Sequence, residues 1–261
     1  MMLEIRHPFK SVRETYNEVY RSRGIRQMDS FFLWILGLLN PIRGQSLLDL
    51  SCGEGQLLHI ATARGVHAHG IDISDAAARI AQQATPAARL VIGNGEALPY
   101  PDNTFDAVTN LGSLEHYEHP DRGAREMARV LTPGGTACIL VPNSFGLRWN
   151  VWHVWRTGDI FDDGFQPIQR YATRGQWTRL LEENGLIVRR TLGYEHERAW
   201  PRTWEDGWGY LKNPRRLLSA FVLVPLIPVS MASMFVFLCE KASKTHSAHD
   251  HPKVVSGNPP L

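Results

Sequence analysis

Leu47-Leu48-Asp49-Leu50 is a short apolar run that breaks into Ser51-Cys52-Gly53-Glu54-Gly55 and continues at once into the helix-forming Gln56-Leu57-Leu58. That succession reads as a buried strand, a tight glycine turn and a helix start, the opening of a βαβ unit. Glycines at 53 and 55 permit positive φ and carry no side chain, so a ligand can lie against bare backbone at the helix's amino end. Asp49, near the strand's carboxyl end, is placed to accept hydrogen bonds from loop amides or from a ligand. Val66 to Asp72 reads as the next strand, and its terminal Asp72 lies 17 residues beyond Gly55. A carboxylate at that point accepts from both hydroxyls of a ribose. These features leave open a nucleoside or a nicotinamide dinucleotide. Against the dinucleotide stand Leu58, where G-x-G-x-x-G has its third glycine, and the lack of basic residues beside the turn.

Further segments follow at regular intervals: Gly70-Ile-Asp72-Ile-Ser, Gly93-Asn94-Gly-Glu96-Ala-Leu98-Pro99-Tyr100-Pro101-Asp102-Asn103-Thr-Phe105-Asp106, and Arg129-Val-Leu131-Thr-Pro133-Gly134-Gly135. With Asp49-Leu-Ser-Cys-Gly-Glu-Gly they resemble, in order, the four motifs of the class I S-adenosylmethionine-dependent methyltransferases of the methyltransferase domain type 11 kind. The resemblance covers residues 45–142 and, more loosely, 170–195. It implies an α/β fold: a Rossmann-like, doubly wound, mostly parallel seven-stranded sheet binding S-adenosylmethionine at the carboxyl edge of its first strands. It assigns donor contacts to Asp49, Ser51, Gly53, Gly55, Asp72, Asn94, Glu96 and Asn110, with backbone from Ile73 and Gly95. Asn94 stands where many relatives carry an Asp that contacts the adenine amino group, and its amide oxygen keeps the accepting function.

A chain of 261 residues can bury one large core. We expect an N-terminal helical lid over 1–45, a methyltransferase domain over 46–242 with insertions at 143–170 and 195–233, and a disordered polar tail over 243–261. A net charge of +2 without a Lys/Arg run argues against nucleic acid. Three cysteines without C-x-x-C spacing fit a reducing compartment, and Met1 to Lys10 lacks the apolar core of a secretory signal, so a cytoplasmic location is expected. Val12 to Tyr20 has the spacing of an amphipathic helix, and Ser30 to Leu39 is apolar nearly all round but too short to span a bilayer. In similar methyltransferases such helices shape the acceptor pocket, which makes Tyr16 and Tyr20 candidate substrate contacts. Ser74 reads as the cap of a helix from Asp75 to Ala84. Strands are expected over Arg89–Ile92, Phe105–Asn110, Gly135–Val141 and Leu186–Gly193, with a helix over Asp121–Leu131.

Chemistry is expected just past the strand ending at Asn110, in Leu111-Gly112-Ser113-Leu114-Glu115-His116. Methyl transfer from a sulfonium mainly needs alignment and exclusion of water; a hydroxyl acceptor must also lose a proton, for which His116 or Glu115 is the candidate base. The insertion over 143–170 carries Trp149, Trp152, His153 and Trp155, and Trp200, Trp204 and Trp208 follow later. Aromatic rings with polar edges suit sugar faces, aromatic acceptors or a membrane interface, and Trp149, Trp152 and His153 are taken as substrate-binding candidates. Asp162-Asp163 with His153 matches no ligand spacing, so no metal is expected.

Leu217 to Cys239 is 23 residues without a charge, but Pro225 and Pro228 interrupt it and Met234 to Lys241 reads as the closing strand. Lys212, Arg215 and Arg216 before it and Lys241 and Lys244 after it suit peripheral membrane contact through Leu217 to Pro228. A methyltransferase acting on a small-molecule, lipid-linked or glycan-linked acceptor follows from these features. Two alternatives stay open: a non-catalytic donor-binding or membrane-docked assembly subunit, and a dinucleotide-dependent oxidoreductase.

Overall fold

The structure, a computed structural model, describes residues 2–9, 11–25, 27–195, 207–208, 211–212 and 224–242. Trp200, Trp204, Arg215, Arg216, the first part of the Leu217–Pro228 stretch and the expected tail from Ser243, Lys244 included, lie outside the described residues. The central sheet has seven strands. Its parallel part comprises β2 (Ser46–Leu50), β3 (His67–Asp72), β4 (Arg89–Ile92), β5 (Phe105–Leu111) and β6 (Leu131–Pro142). β8 (Leu186–Tyr194) closes one edge, and β9 (Met234–Lys241) is inserted between β6 and β8, antiparallel to both. The spatial order β4-β3-β2-β5-β6-β9-β8 reverses direction at β2 and β5, so their carboxyl ends open a crevice, the place where open α/β sheets hold ligands.

Alternation with period two sends successive strand residues to opposite faces. Leu48, Leu50, Val108, Ile139 and Val141 share a core with Ala124 and Met127 of α5 (Pro120–Val130) and Trp177 and Leu181 of α7 (Arg174–Glu183). Leu47, Ala68 and Ala107 face the other way, onto Leu57, Leu58 and Ala61 of α3 (Gln56–Ala63) and Leu36 of α2 (Asp29–Leu39). The remaining apolar face of α2, Phe31 and Ile35, packs on Cys138, Leu140 and Val236 of the sheet. Among the described residues no helix is long and apolar enough to cross a membrane.

Ser74 caps α4 (Asp75–Ala84) through the Ala77 amide at 3.1 Å. The same hydroxyl donates to Asn17 Oδ1 at 2.7 Å, and Asn17 Nδ2 donates to Asp75 at 2.6 Å. Those bonds dock α1 (Val12–Ser22) across the start of α4. β6 begins at Leu131 rather than Gly135: Leu131 pairs with Phe105, and the register then skips from Phe105 to Ala107, which pairs with Thr136. The Thr132-Pro133-Gly134-Gly135 turn is thus a bulge inside one ladder rather than its start. A second sheet, absent from the sequence reading, pairs β1 (Leu3–Arg6) antiparallel with β7 (Ile168–Tyr171). Of the apolar stretch after 217, residues 224–231 form two short 3-10 turns, and Met234–Lys241 is the strand expected there.

Candidate active site

A cavity of about 580 Å³ opens over the carboxyl ends of β2, β3 and β5. One side is walled by the ends of these strands and the turns that follow. Ser51 and Gly53 both adopt positive φ, 57° and 53°, folding the turn after β2 back over the sheet. The Gly53 amide donates to Asp72 Oδ2 at 2.9 Å and the Ser74 amide to Asp72 Oδ1 at 2.8 Å, so two backbone donors aim the Asp72 carboxyl. Burial raises the Asp72 pKa to about 6, opposed by the amides of Ser74, Gly53 and Ile73. Asp49, opposite Thr109 in the β2–β5 ladder, accepts from the Thr109 hydroxyl at 2.6 Å. Burial lifts its pKa to about 7 despite that bond. Asn94 Oδ1 accepts from the Glu96 amide at 2.9 Å, and Glu96 Oε1 accepts from the Glu118 amide at 2.8 Å, tying the turn after β4 to the turn after β5.

Two of the expected donor residues have other neighbours. Gly55, at φ 78°, is not among the cavity-lining residues: a Cβ there would lie 2.8 Å from Ala81 Cβ, so its missing side chain lets α4 pack against the start of α3. Asn110 is fully buried and is not among the cavity-lining residues; it accepts from Ser113 Oγ at 3.0 Å and the Leu114 amide at 2.9 Å. Its Nδ2 donates to Tyr117 Oη at 3.1 Å, which also lies 3.2 Å from Ser51 Oγ. A Cβ on Gly95 would fall 2.1 Å from the same Tyr117 oxygen. Tyr117 is therefore the hub joining the turns after β2, β4 and β5. It stands directly behind Glu115-His116 in sequence, but nothing local marks it as such.

The opposite side comes from elsewhere in the chain. Tyr16 and Tyr20 of α1 and Phe31 and Phe32 of α2 line it, with Trp149, Phe161, Phe165, Gln169 and Tyr171. Tyr20 Oη stands where a Gly53 Cβ would come within 2.8 Å, so the tyrosine covers the glycine turn closely. Tyr16 Oη donates to Gln166 Oε1. Trp152 and His153 are not among the lining residues; Trp152 is exposed, and the His153 ring packs edge-on against Phe161 at 5.5 Å.

Glu115 and His116 lie on a 3-10 turn, Leu114–His116, at the cavity wall. His116 Nδ1 is 2.6 Å from the Ile168 carbonyl; a carbonyl only accepts, so Nδ1 carries the proton and Nε2 is left with a lone pair. Burial lowers the His116 pKa, which keeps the ring neutral. Burial raises the Glu115 pKa to about 8, so this acid is protonated at neutrality. Its Oε1 lies 3.8 Å from His116 Nε2, and among the described residues no group hydrogen-bonds its Oε2.

Arg170 of β7 holds this turn. Its side chain, 6% exposed, donates to the Glu115 carbonyl at 3.3 Å, the Glu118 carbonyl at 3.2 Å and the Tyr117 carbonyl, while Nε pairs with Glu4 Oε2 of β1 at 2.7 Å. Among the described residues no group of three or more His, Cys, Asp or Glu is arranged to hold a metal.

The cavity is lined by seven carboxyls, Asp49, Glu54, Asp72, Glu96, Glu115, Glu118 and Asp163, and among the described residues that line it there is no Lys or Arg. An open, mostly parallel α/β sheet with an acid at the end of each of two adjacent strands is a Rossmann-like arrangement. Residues 48–139 match the family model described as a methyltransferase domain. The chain is 38% identical over 180 residues to 27-O-demethylrifamycin SV methyltransferase of Amycolatopsis mediterranei, covering 57% of this chain and 65% of that protein. It is 32% identical over 149 residues to demethylmenaquinone methyltransferase of Bacillus licheniformis, covering 54% and 64%. It is 33% identical over 109 residues to 2-methyl-6-phytyl-1,4-hydroquinone methyltransferase 1 of Oryza sativa, covering 38% and 33%. The chain thus spans less than two thirds of the length of these relatives.

Among solved structures, the 4+2 cyclase SpnF superposes with TM-score 0.61 at 21% identity, over 88% of this chain and 93% of that one. Phosphoethanolamine N-methyltransferase 2 of Haemonchus contortus, solved with S-adenosylhomocysteine, gives 0.57 at 16%, over 82% and 52%. Such likenesses establish the fold and leave the reaction to the site. Residues 48–139 thus resemble the methyltransferase domain of the class I S-adenosylmethionine-dependent methyltransferases. The cofactor of that family is S-adenosylmethionine.

Proposed function

We propose that the protein transfers a methyl group from S-adenosylmethionine to a hydroxyl of an apolar small molecule. The charge of the cavity carries this reading. Seven carboxyls, of which Glu115 is neutral and the others supply negative charge, without a Lys or Arg among the described lining residues, attract a sulfonium cation and repel a pyrophosphate, which favours the methyl donor over a dinucleotide. Asp72 is oriented to accept from ribose hydroxyls, and the turns at Ser51–Gly53 and Asn94–Glu96, with the Ile73 backbone, frame the rest of the donor. Asn94 Oδ1 already accepts the Glu96 amide, and its second lone pair and Nδ2 remain for adenine. Asn110 and Gly55 serve by shaping the turns.

Bound there, S-adenosylmethionine supplies an electrophilic methyl group. His116 Nε2, the unprotonated nitrogen of a ring fixed by the Ile168 carbonyl, takes the proton of the acceptor hydroxyl. Glu115 beside it stays protonated through this step, its Oε1 3.8 Å from Nε2. Tyr16, Tyr20 and the aromatic wall exclude water and hold the acceptor's body.

Phe31, Phe32, Leu140, Trp149, Phe161 and Met234 favour an apolar, lipid-type acceptor over a glycan. Demethylmenaquinone and 2-methyl-6-phytyl-1,4-hydroquinone, after which two of the relatives are named, are of that character. The test is transfer of label from methyl-labelled S-adenosylmethionine to a panel of prenylated hydroquinones and their glycosides. Labelling of the free quinols, lost in His116→Ala while donor binding persists, is expected. Donor binding with no transfer to any hydroxyl would instead favour a non-catalytic donor-binding subunit.

A further inference from the structure

The segment from Phe145 to Gly158 holds three tryptophans, Arg148 and Arg156, and no carboxylate. It runs through a π-helical turn, Leu147–Val151, into the short helix α6, Trp152–Thr157. Where a buried helix would hide its apolar side chains, this one displays them. Phe145 is 60% exposed, Trp152 54% and Trp155 75%, and Leu147, Trp149 and Val154 are exposed as well. Trp152 and Trp155 pack ring to ring at 4.9 Å, so they form one contiguous apolar surface. Contiguous exposed apolar surface marks an interaction site.

Two observations bear on what covers it. The surface is continuous with the cavity: Trp149 lines the cavity and meets Phe161, another lining residue, edge-on at 5.1 Å. It is also tied to the second apolar stretch of the chain. Asn143 Nδ2 donates to the carbonyls of Ser230 at 3.0 Å and Ala232 at 2.8 Å, and a Cβ on Gly146 would lie 2.8 Å from Ser233 Cα. That stretch presents Leu226, 75% exposed, a few residues before the tether.

We propose that Phe145 to Trp155, with Leu226, docks on an anionic lipid bilayer and delivers a lipid-dissolved acceptor into the cavity past Trp149. Tryptophan and arginine side by side suit the bilayer interface, where the indole sits at headgroup depth and the guanidinium meets phosphate. The exposed Arg156 at the end of this segment complements anionic headgroups. A continuous apolar path from docking face to cavity spares a lipid acceptor any passage through water. This rests on the methyltransferase reading above and deepens it by naming where the acceptor comes from.

The test is co-sedimentation of the full chain with vesicles of phosphatidylcholine alone or mixed with phosphatidylglycerol, read together with tryptophan emission. Partitioning and a blue shift are expected only with phosphatidylglycerol. The double variant Phe145→Ala, Trp155→Ala is expected to lower partitioning roughly tenfold or more. Ile42→Ala, at an exposed apolar side chain just before β2, is expected to leave it unchanged. Both side chains of the double variant are exposed, so its thermal unfolding and its S-adenosylmethionine titration are expected to match the parent. No partitioning, or equal partitioning of parent and double variant, would overturn the proposal. Concentration-dependent self-association abolished by the double variant, without vesicle binding, would assign the face to a second copy of the chain instead. Donor titration fails or succeeds independently of vesicle binding, so failure of the methyltransferase reading stays distinguishable.

Discussion

The two walls of the cavity are built in different ways. On the side proposed for the donor each polar group sits at a strand end or in the turn directly after it, and each is fixed by a neighbour close in the fold: Asp72 by two backbone amides, Asp49 by Thr109, Asn94 by Glu96. On the side proposed for the acceptor the groups come from α1, α2, the turn after β5 and the segment around β7, and they are held by long-range clamps such as Arg170 to Glu4. A site made of strand ends keeps its geometry as long as the sheet forms. A site made of clamped segments depends on a few buried polar contacts and can change its acceptor by changing loops.

If the donor wall is that local, removing one of its groups should abolish binding without unfolding the chain. Asp72→Ala is expected to weaken S-adenosylmethionine binding by about a hundredfold or more, since charge-assisted hydrogen bonds are worth ~1.5–3 kcal/mol each. Calorimetric titration reads the loss, and circular dichroism confirms the fold. The clamped wall should respond in the opposite sense. Arg170→Met deletes the Glu4 pair and leaves the carbonyls of 115, 117 and 118 without their donor. A stability loss of about 3 kcal/mol is expected, measured by denaturant unfolding. Donor affinity is expected to fall far less than in Asp72→Ala. Equal losses of donor affinity in the two variants would erase the distinction between the walls.

The difference also decided what could be read from the sequence. The glycine turn, Asp49, Asp72 and the Ser74 cap are short-range patterns, and the structure places each at the end or start of the element expected. Glu115 and His116 were legible by position after a strand, and both reach the cavity wall. Tyr117 and Arg170 were not, because their roles exist only once distant segments meet. β1 and β7 are four residues each, too short for periodicity to declare, and their pairing joins residues more than 160 apart. Gly55 shows the converse: its place in the motif suggests ligand contact, but the atom its Cβ would strike belongs to α4.

Acidity provides a smaller contrast. Asp49, Asp72 and Glu115 have raised folded pKa values, about 7, 6 and 8, so between pH 6 and 8 the folded state holds protons that the unfolded state has released. Stability without donor is therefore expected to rise as pH falls from 8 to 6, by roughly 4 °C in thermal midpoint. Donor affinity is expected to move the other way, falling several-fold from pH 7.5 to 5.5 as the Asp72 carboxylate is protonated. Parallel movement of the two would show that these acids do not meet the donor. The smallest effect concerns the junction between the walls. Ser74→Ala removes the α4 cap and the bond to Asn17 of α1. A loss of about 1 kcal/mol is expected in denaturant unfolding.

The central claim, that an acid-lined crevice at the ends of β2 and β3 is built for a sulfonium donor, is tested most directly by titrating the purified chain calorimetrically with S-adenosylmethionine, S-adenosylhomocysteine and NAD in parallel. Saturable binding of both sulfur ligands, with none of NAD, is expected. Binding of NAD, or of neither sulfur ligand by the folded protein, would contradict it.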